Sequence, residues 1–179
     1  YRRPQIGRVI IRSIMARTLF VLRRAVAVAA PAGLLIWLLA NVKTGGVCLL
    51  AHCAEFLNPF AEALGMDGYI LMAFILGFPA NEIVVPIIIM SYMSVGTLTD
   101  YQSLAQLHML FVSHGWTWVT AVCVMLFSLL HWPCGTTCFT IRKETQSAKW
   151  TALAFTIPTT AGIAICFLVA SVAKLFALA

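Results

Sequence analysis

Between Asp67 and Asp100 the chain carries a single charge, Glu82, inside the run YILMAFILGFPANEIVVPIIIMSYM. A carboxylate at the centre of a bilayer-buried helix costs about 3 kcal/mol on the lenient insertion scales. Such a residue demands a polar cavity, a partner or a bound cation. The medium follows from composition: 61% of the 179 residues are apolar, 10% are charged and the mean hydropathy is +0.94. Values of that size exclude a water-soluble domain and imply an all-α integral membrane protein.

Crossing the hydrocarbon core takes about 20 largely apolar residues. Charge-free or nearly charge-free windows predict four hydrophobic segments, 19–42, 69–94, 115–131 and 150–173, making 17–179 the transmembrane region. The segment before them, 1–16, is basic. Arg2, Arg3, Arg8, Arg12, Arg17, Arg23 and Arg24 precede the first acid, Glu55. The positive-inside rule makes this end cytoplasmic, lying against anionic headgroups of the bilayer rather than on nucleic acid. The chain opens on Tyr1 with neither an initiator Met nor a cleavable leader pattern, so a piece of a longer or split protein is expected.

Two short amphipathic helices are predicted at the interface. One covers 47–64, with Leu49, Leu50, Cys53, Phe56, Leu57, Phe60 and Leu64 on one side and a kink or restart at Asn58-Pro59. The other covers 99–113, capped by Thr99 and Asp100, with Leu104, Leu107 and Phe111 on its apolar face and Gly115 at its end.

Two of the long segments are broken. Gly77 and Pro79 stop a helix near Phe78, and Pro79, Ala80 and Asn81 are expected to open the next one. Pro86 is a further candidate break. The same grammar recurs at HWPCGTTC, residues 131–138, where Trp132-Pro133 precedes Cys134, Gly135, Thr136 and Thr137. Two interrupted segments in one bundle point to a transport site, and the two breaks are expected to face each other. If 69–94 crosses fully, the basic loop RKETQSAK (142–149) lies outside. If it folds back as a re-entrant hairpin at 77–82, that loop returns to the cytoplasm, as the positive-inside bias prefers.

The donors at these breaks are Asn81, Glu82, His131, Cys134, Thr136 and Thr137. Mixed oxygen, nitrogen and sulfur suits a borderline divalent ion such as Fe(II), Mn(II) or Zn(II). Glu82, Cys134 and His131 are the candidate metal ligands. Cys48, Cys53, Cys123, Cys138 and Cys166 read as packing residues. Neither a P-loop nor a dinucleotide-binding glycine motif occurs, and no catalytic residue is expected.

YRRPQIGRVI, GFPANEIVVPIIIMSY and HWPCGTTCFTIRKETQSAKWTALAF, in that order, resemble the C-terminal membrane part of the ferrous iron transport protein B (FeoB) family, with its second Gate repeat. That resemblance implies half of an Fe(II) permeation path in the bacterial inner membrane. Its Pro-Cys motif falls on Cys134 and its Pro-Ala-Asn-Glu motif on Pro79 to Glu82, while Gly135 and Cys138 depart from the family pattern. It further implies GTP and Mg(II) only in a G domain outside this chain. The implied partners are that G domain, the first Gate repeat, small cytoplasmic Feo accessory proteins and a homo-oligomer. The rival readings are a Gate-like membrane scaffold without transport and an organic-solute transporter of the nucleoside type.

Overall fold

In a computed structural model, residues 6–44, 46–93 and 103–176 are described. Their architecture is all-α: α1 (Ile6–Asn41), α2 (Leu49–Ala63), α3 (Gly68–Leu76), α4 (Val84–Met93), α5 (Leu104–Ser113), α6 (Trp118–Leu130), α7 (Gly135–Thr145) and α8 (Ala148–Leu175). A two-residue ribbon pairs Lys43–Thr44 with Val47–Cys48 between α1 and α2. Among the described residues two stretches are long and apolar enough to cross a membrane, Trp118–Thr145 and Ala148–Leu175. α2 and α3 together pass the same test, but are bent by 107°.

The segment expected at 69–94 is a hairpin. α3 ends at Leu76 with Gly77 as its cap, and α4 packs back against it. Asp67, just before α3, accepts a hydrogen bond from the hydroxyl of Tyr92, near the end of α4, and the rings of Tyr69 and Tyr92 lie 5.9 Å apart. The start of α3 and the end of α4 are therefore side by side. With nine residues, α3 is about 14 Å long at 1.5 Å per residue, roughly half a hydrocarbon core of about 30 Å.

α3 is apolar all round and largely enclosed: Ile70, Leu71, Met72, Ala73, Phe74 and Leu76 are buried, and Ile75 is exposed at 42%. α2 crosses it at Gly68, whose N–H donates to Asn58 Oδ1 at 2.9 Å. A Cβ at Gly68 would lie 2.0 Å from the Ala54 carbonyl oxygen. At the other end of α3, a Cβ on Gly77 would lie 2.4 Å from a Val84 methyl group, so glycine lets the hairpin close.

Several expectations are corrected. α2 runs unbroken through Pro59, with Asn58 turned to Gly68 and, at 2.5 Å, to Glu62. Its buried side is Leu50, Ala51, Ala54 and Ala61, whereas Phe56 is 84% exposed and Phe60 is also exposed. Small residues win the inner face because the α2–α3 approach at Gly68 leaves no room for rings. α1 is one helix, Ile6–Asn41, that passes through Pro31. Tyr1 to Gln5, and with them Arg2 and Arg3, lie outside the described residues, as do Thr99 and Asp100. α5 is present with Leu107 and Phe111 half-buried and its end at Gly115 (φ 80°), but Leu104 is 86% exposed. The helix of the third segment, α6, ends at Leu130, and the membrane-crossing stretch runs on past the Pro133 interruption to Thr145.

Gly68→Ala should lower stability by on the order of 2 kcal/mol, since backbone rather than a flexible side chain blocks the added methyl. Gly33→Ala, with nothing within 4 Å of the new Cβ, should be neutral to slightly stabilising in a helix interior. Thermal unfolding of the two variants in detergent micelles checks both signs.

Candidate functional site

The hairpin tip and the α6–α7 interruption meet. Past the end of α3, Phe78 has a carbonyl without a partner in its own helix, and Gly135 is the first residue of α7, where an amide likewise lacks one. The Gly135 N–H donates to the Phe78 carbonyl at 2.8 Å. Around this bond the aromatic residues preceding each proline share one neighbour on α8: Trp132 stacks on Phe155 at 5.8 Å and 9°, and Phe78 meets the same ring edge-on at 6.3 Å.

On the hairpin side, Ala80 is extended and a single 3-10 turn, Asn81–Ile83, leads into α4. The expected helical turn from Pro79 is thus displaced by two residues. Asn81 and Glu82 are exposed on it. Pro86 does not break the chain. It sits in the first turn of α4, where a missing N–H costs nothing.

On the α7 side, Cys134 is the half-buried N-cap. Its Sγ lies 3.1 Å from both Thr136 Oγ1 and Thr137 Oγ1, so one sulfur and two hydroxyls converge at the start of α7. Cys138, one turn on, donates its thiol to the Pro133 carbonyl at 3.5 Å.

His131 is 7% exposed. Its Nδ1 lies 2.9 Å from the Ser128 carbonyl oxygen, and its ring is 5.2 Å from Phe74 and 5.9 Å from Phe127. Among the described residues no three His, Cys, Asp or Glu side chains come together to hold a metal. Glu82, Cys134 and His131 are therefore not a ready-made ligand set within this chain. All six cysteines are free. Cys123 and Cys166 are fully buried and pair α6 with α8, each sulfur facing the other residue's carbonyl at 4.0 and 3.4 Å.

The base of the hairpin is organised by residues that the sequence reading passed over. Asp67 Oδ1 caps α3 by accepting from Ile70 N at 2.7 Å, its other oxygen takes the Tyr92 hydroxyl, and Trp116 Nε1 donates to that hydroxyl at 2.8 Å. His114 stacks on Tyr92 at 4.3 Å. Asp67 directly before an apolar run was a legible cap signal; Tyr92, Trp116 and Phe155 carried none. Beside this network a cleft of about 340 Å³ opens between Glu62, Asp67, His114, Trp116 and Lys174. None of the residues of the two breaks lines it.

Comparison with known proteins bears on this geometry. The profile of the Gate family, described as nucleoside recognition, matches residues 22–148. The chain belongs to the Gate family. The match takes in both interruptions of this Gate chain. It is also 31% identical over 150 residues to the Fe(2+) transporter FeoB of Staphylococcus aureus strain COL, and equally to that of strain N315. The strain MSSA476 protein is 30% identical over the same length. These alignments take in 79% of the chain and 21% of each relative, so the chain spans about a fifth of their length. The resemblance to FeoB seen in the motifs is borne out. No solved structure matches.

Gly135→Pro removes the N–H that Phe78 accepts while leaving α7 intact, because proline fits the first helical position. It should destabilise the Gate chain by about 1–2 kcal/mol more than Gly135→Ala, the net value of a buried hydrogen bond with its orphaned acceptor. Denaturant titration of both variants in micelles measures the difference.

Proposed function

We propose that this Gate chain forms half of the Fe(II) permeation path of a bacterial FeoB-type importer. The observation that carries the reading is the contact of the two interruptions, Phe78 to Gly135. The Cys134–Thr136–Thr137 donors and the Asn81–Glu82 turn flank this contact in sequence, and irregular backbone of that kind is tolerated in a membrane only where protein encloses it or it lines a cavity, which supports a path there. Glu82 and Asn81 attract and partly dehydrate the ion, Cys134 gives it a soft contact, and the threonine hydroxyls with freed carbonyls complete a weak shell. A weak shell suits a transport site, which must release what it binds.

The exposure of Glu82 fits a path completed by another part of the protein, the first Gate repeat of the FeoB family. A GTP-binding domain with its Mg(II), elsewhere in the protein, gates the path; small cytoplasmic Feo proteins and self-association are further partners. The hairpin and the two crossing stretches suit a cytoplasmic N-terminus in the bacterial inner membrane, with the 142–149 loop on the same side. His131, the third expected ligand, is left out of the path because its ring is enclosed by Phe74, Phe127 and Trp132. A nucleoside-type path is the second reading, favoured by the description of the Gate family.

Anaerobic uptake of radiolabelled Fe(II) by cells carrying the complete protein tests the proposal. Glu82→Gln and Cys134→Ala, at matched membrane levels and with GTP hydrolysis intact, should each reduce uptake on the order of tenfold, the loss of one interaction of about 1.4 kcal/mol. Undiminished uptake in both variants contradicts the path. Competition of Fe(II) uptake by nucleosides would favour the second reading.

A further inference from the structure

Trp132, Pro133 and Cys134 form the non-helical link between His131, which caps α6, and Gly135, the first residue of α7. Such a link is fixed not by a helical ladder but by what its two ends are tied to. At one end the indole of Trp132 stacks on Phe155 of α8, with centroids 5.8 Å apart and planes 9° from parallel. At the other the Gly135 N–H donates to the Phe78 carbonyl at 2.8 Å. Phe78 in turn sets its own ring edge-on against Phe155 at 6.3 Å.

These contacts close a ring that runs from Phe155 through Trp132, Pro133, Cys134, Gly135 and Phe78 back to Phe155. Within it the φ of Pro133 is locked near about −65°, so little freedom is left around Cys134 once the indole is held. A single hydrogen bond sets a separation and leaves two segments free to rotate about it. Ring contacts of preferred geometry remove part of that freedom. Trp132 has a further ring neighbour, Phe127, at 5.9 Å, but Phe127 belongs to α6, the helix that leads into Trp132. Phe155 meets the rings of both interruptions. Its own backbone carbonyl accepts the Thr159 hydroxyl at 2.5 Å.

We propose that Phe155 is a positioning residue that, by holding Trp132 and Phe78 together, sets where the Cys134 sulfur stands between the hairpin tip and the start of α7. A binding group keeps its geometry only when its neighbours are locked by packing. Phe155 acts through the two rings rather than on the ion. The role rests on the reading of Cys134 as a donor in the Fe(II) path, and it gives α8 a part in that path, since a displacement of α8 moves both interruptions at once.

Thiol labelling of the complete protein in lipid bilayers tests it. The reagent is N-ethylmaleimide, and modification of Cys134 is followed on its own peptide by mass spectrometry, since all the cysteines are free. Phe155→Leu keeps an apolar side chain and removes the ring, and should speed modification of Cys134 by about fivefold, as expected for loss of a stacking contact. Phe155→Tyr keeps the ring and should react at the wild-type rate. Cys48, in the ribbon before α2, reports on the fold at large and should be unaffected. Trp132→Leu cuts the same stack from the other side, should give the same rise, and decides the question if Phe155→Leu does not fold. An unchanged Cys134 rate in the leucine variants overturns the proposal. So does a rise shared by Phe155→Tyr or by Cys48, which marks general loosening. Failure here is distinct from failure of the path: undiminished Fe(II) uptake in Glu82→Gln and Cys134→Ala removes the path and leaves these labelling rates as they are.

Discussion

A carbonyl released by one helix break and an amide released by another satisfy each other, and the rest of this structure depends on that exchange. In hydrocarbon an unpaired backbone group costs several kcal/mol, so a helix cannot simply stop there. α3 stops at Leu76 and α7 starts at Gly135 because Phe78 and Gly135 bond across the gap. Two interruptions that are each unfavourable become a stable junction when they are brought together. Pro79 and Pro133 act in the same direction, since neither can donate the hydrogen bond that would continue its helix.

The junction requires the hairpin to be held at depth, and the base of the hairpin does so. Asp67 serves as cap for α3 and as acceptor for Tyr92, tying both arms together, while Trp116 ties Tyr92 to the start of α6. α2 lies across α3 at a backbone-to-backbone approach that only Gly68 permits. The polar groups thus sit at the hairpin's base and near its tip, with the aromatic and thiol packing of Phe74, Phe127, Cys123 and Cys166 between them. The cleft at the base is lined by none of the residues of the two breaks.

Much of this was legible in the sequence because membranes simplify the code. Charge-free windows marked the apolar helices, Gly77-Pro79 and Pro133 marked the breaks, and the isolated Glu82 marked the hairpin turn as polar. What failed were readings that depend on which face meets which neighbour. Leu50 and Leu64 of the apolar stripe pack as expected, yet Phe56 and Phe60 do not, and the crossing at Gly68 is lined by alanines, because the tight approach there selects size over hydrophobicity. Pro59 and Pro86 looked like Pro79 by residue type but lie within helices. Proline breaks a helix only where the local chain has nowhere else to place its hydrogen bonds. The donors around Cys134 could be named one by one from the sequence. That His131 would turn away from them, into the rings of Phe74 and Phe127, could not.

The hairpin itself is the claim on which the rest turns, and sidedness of labelling tests it most directly. In a background lacking the accessible cysteines, single cysteines at Glu62, before α3, and at Met93, at the end of α4, would be exposed to a membrane-impermeant thiol reagent from either face of sealed vesicles. The account predicts that both react from the same face, opposite to a cysteine placed at Lys143 in the last turn of α7. Reaction of Glu62→Cys and Met93→Cys from opposite faces would show a segment that crosses the bilayer, and would contradict it.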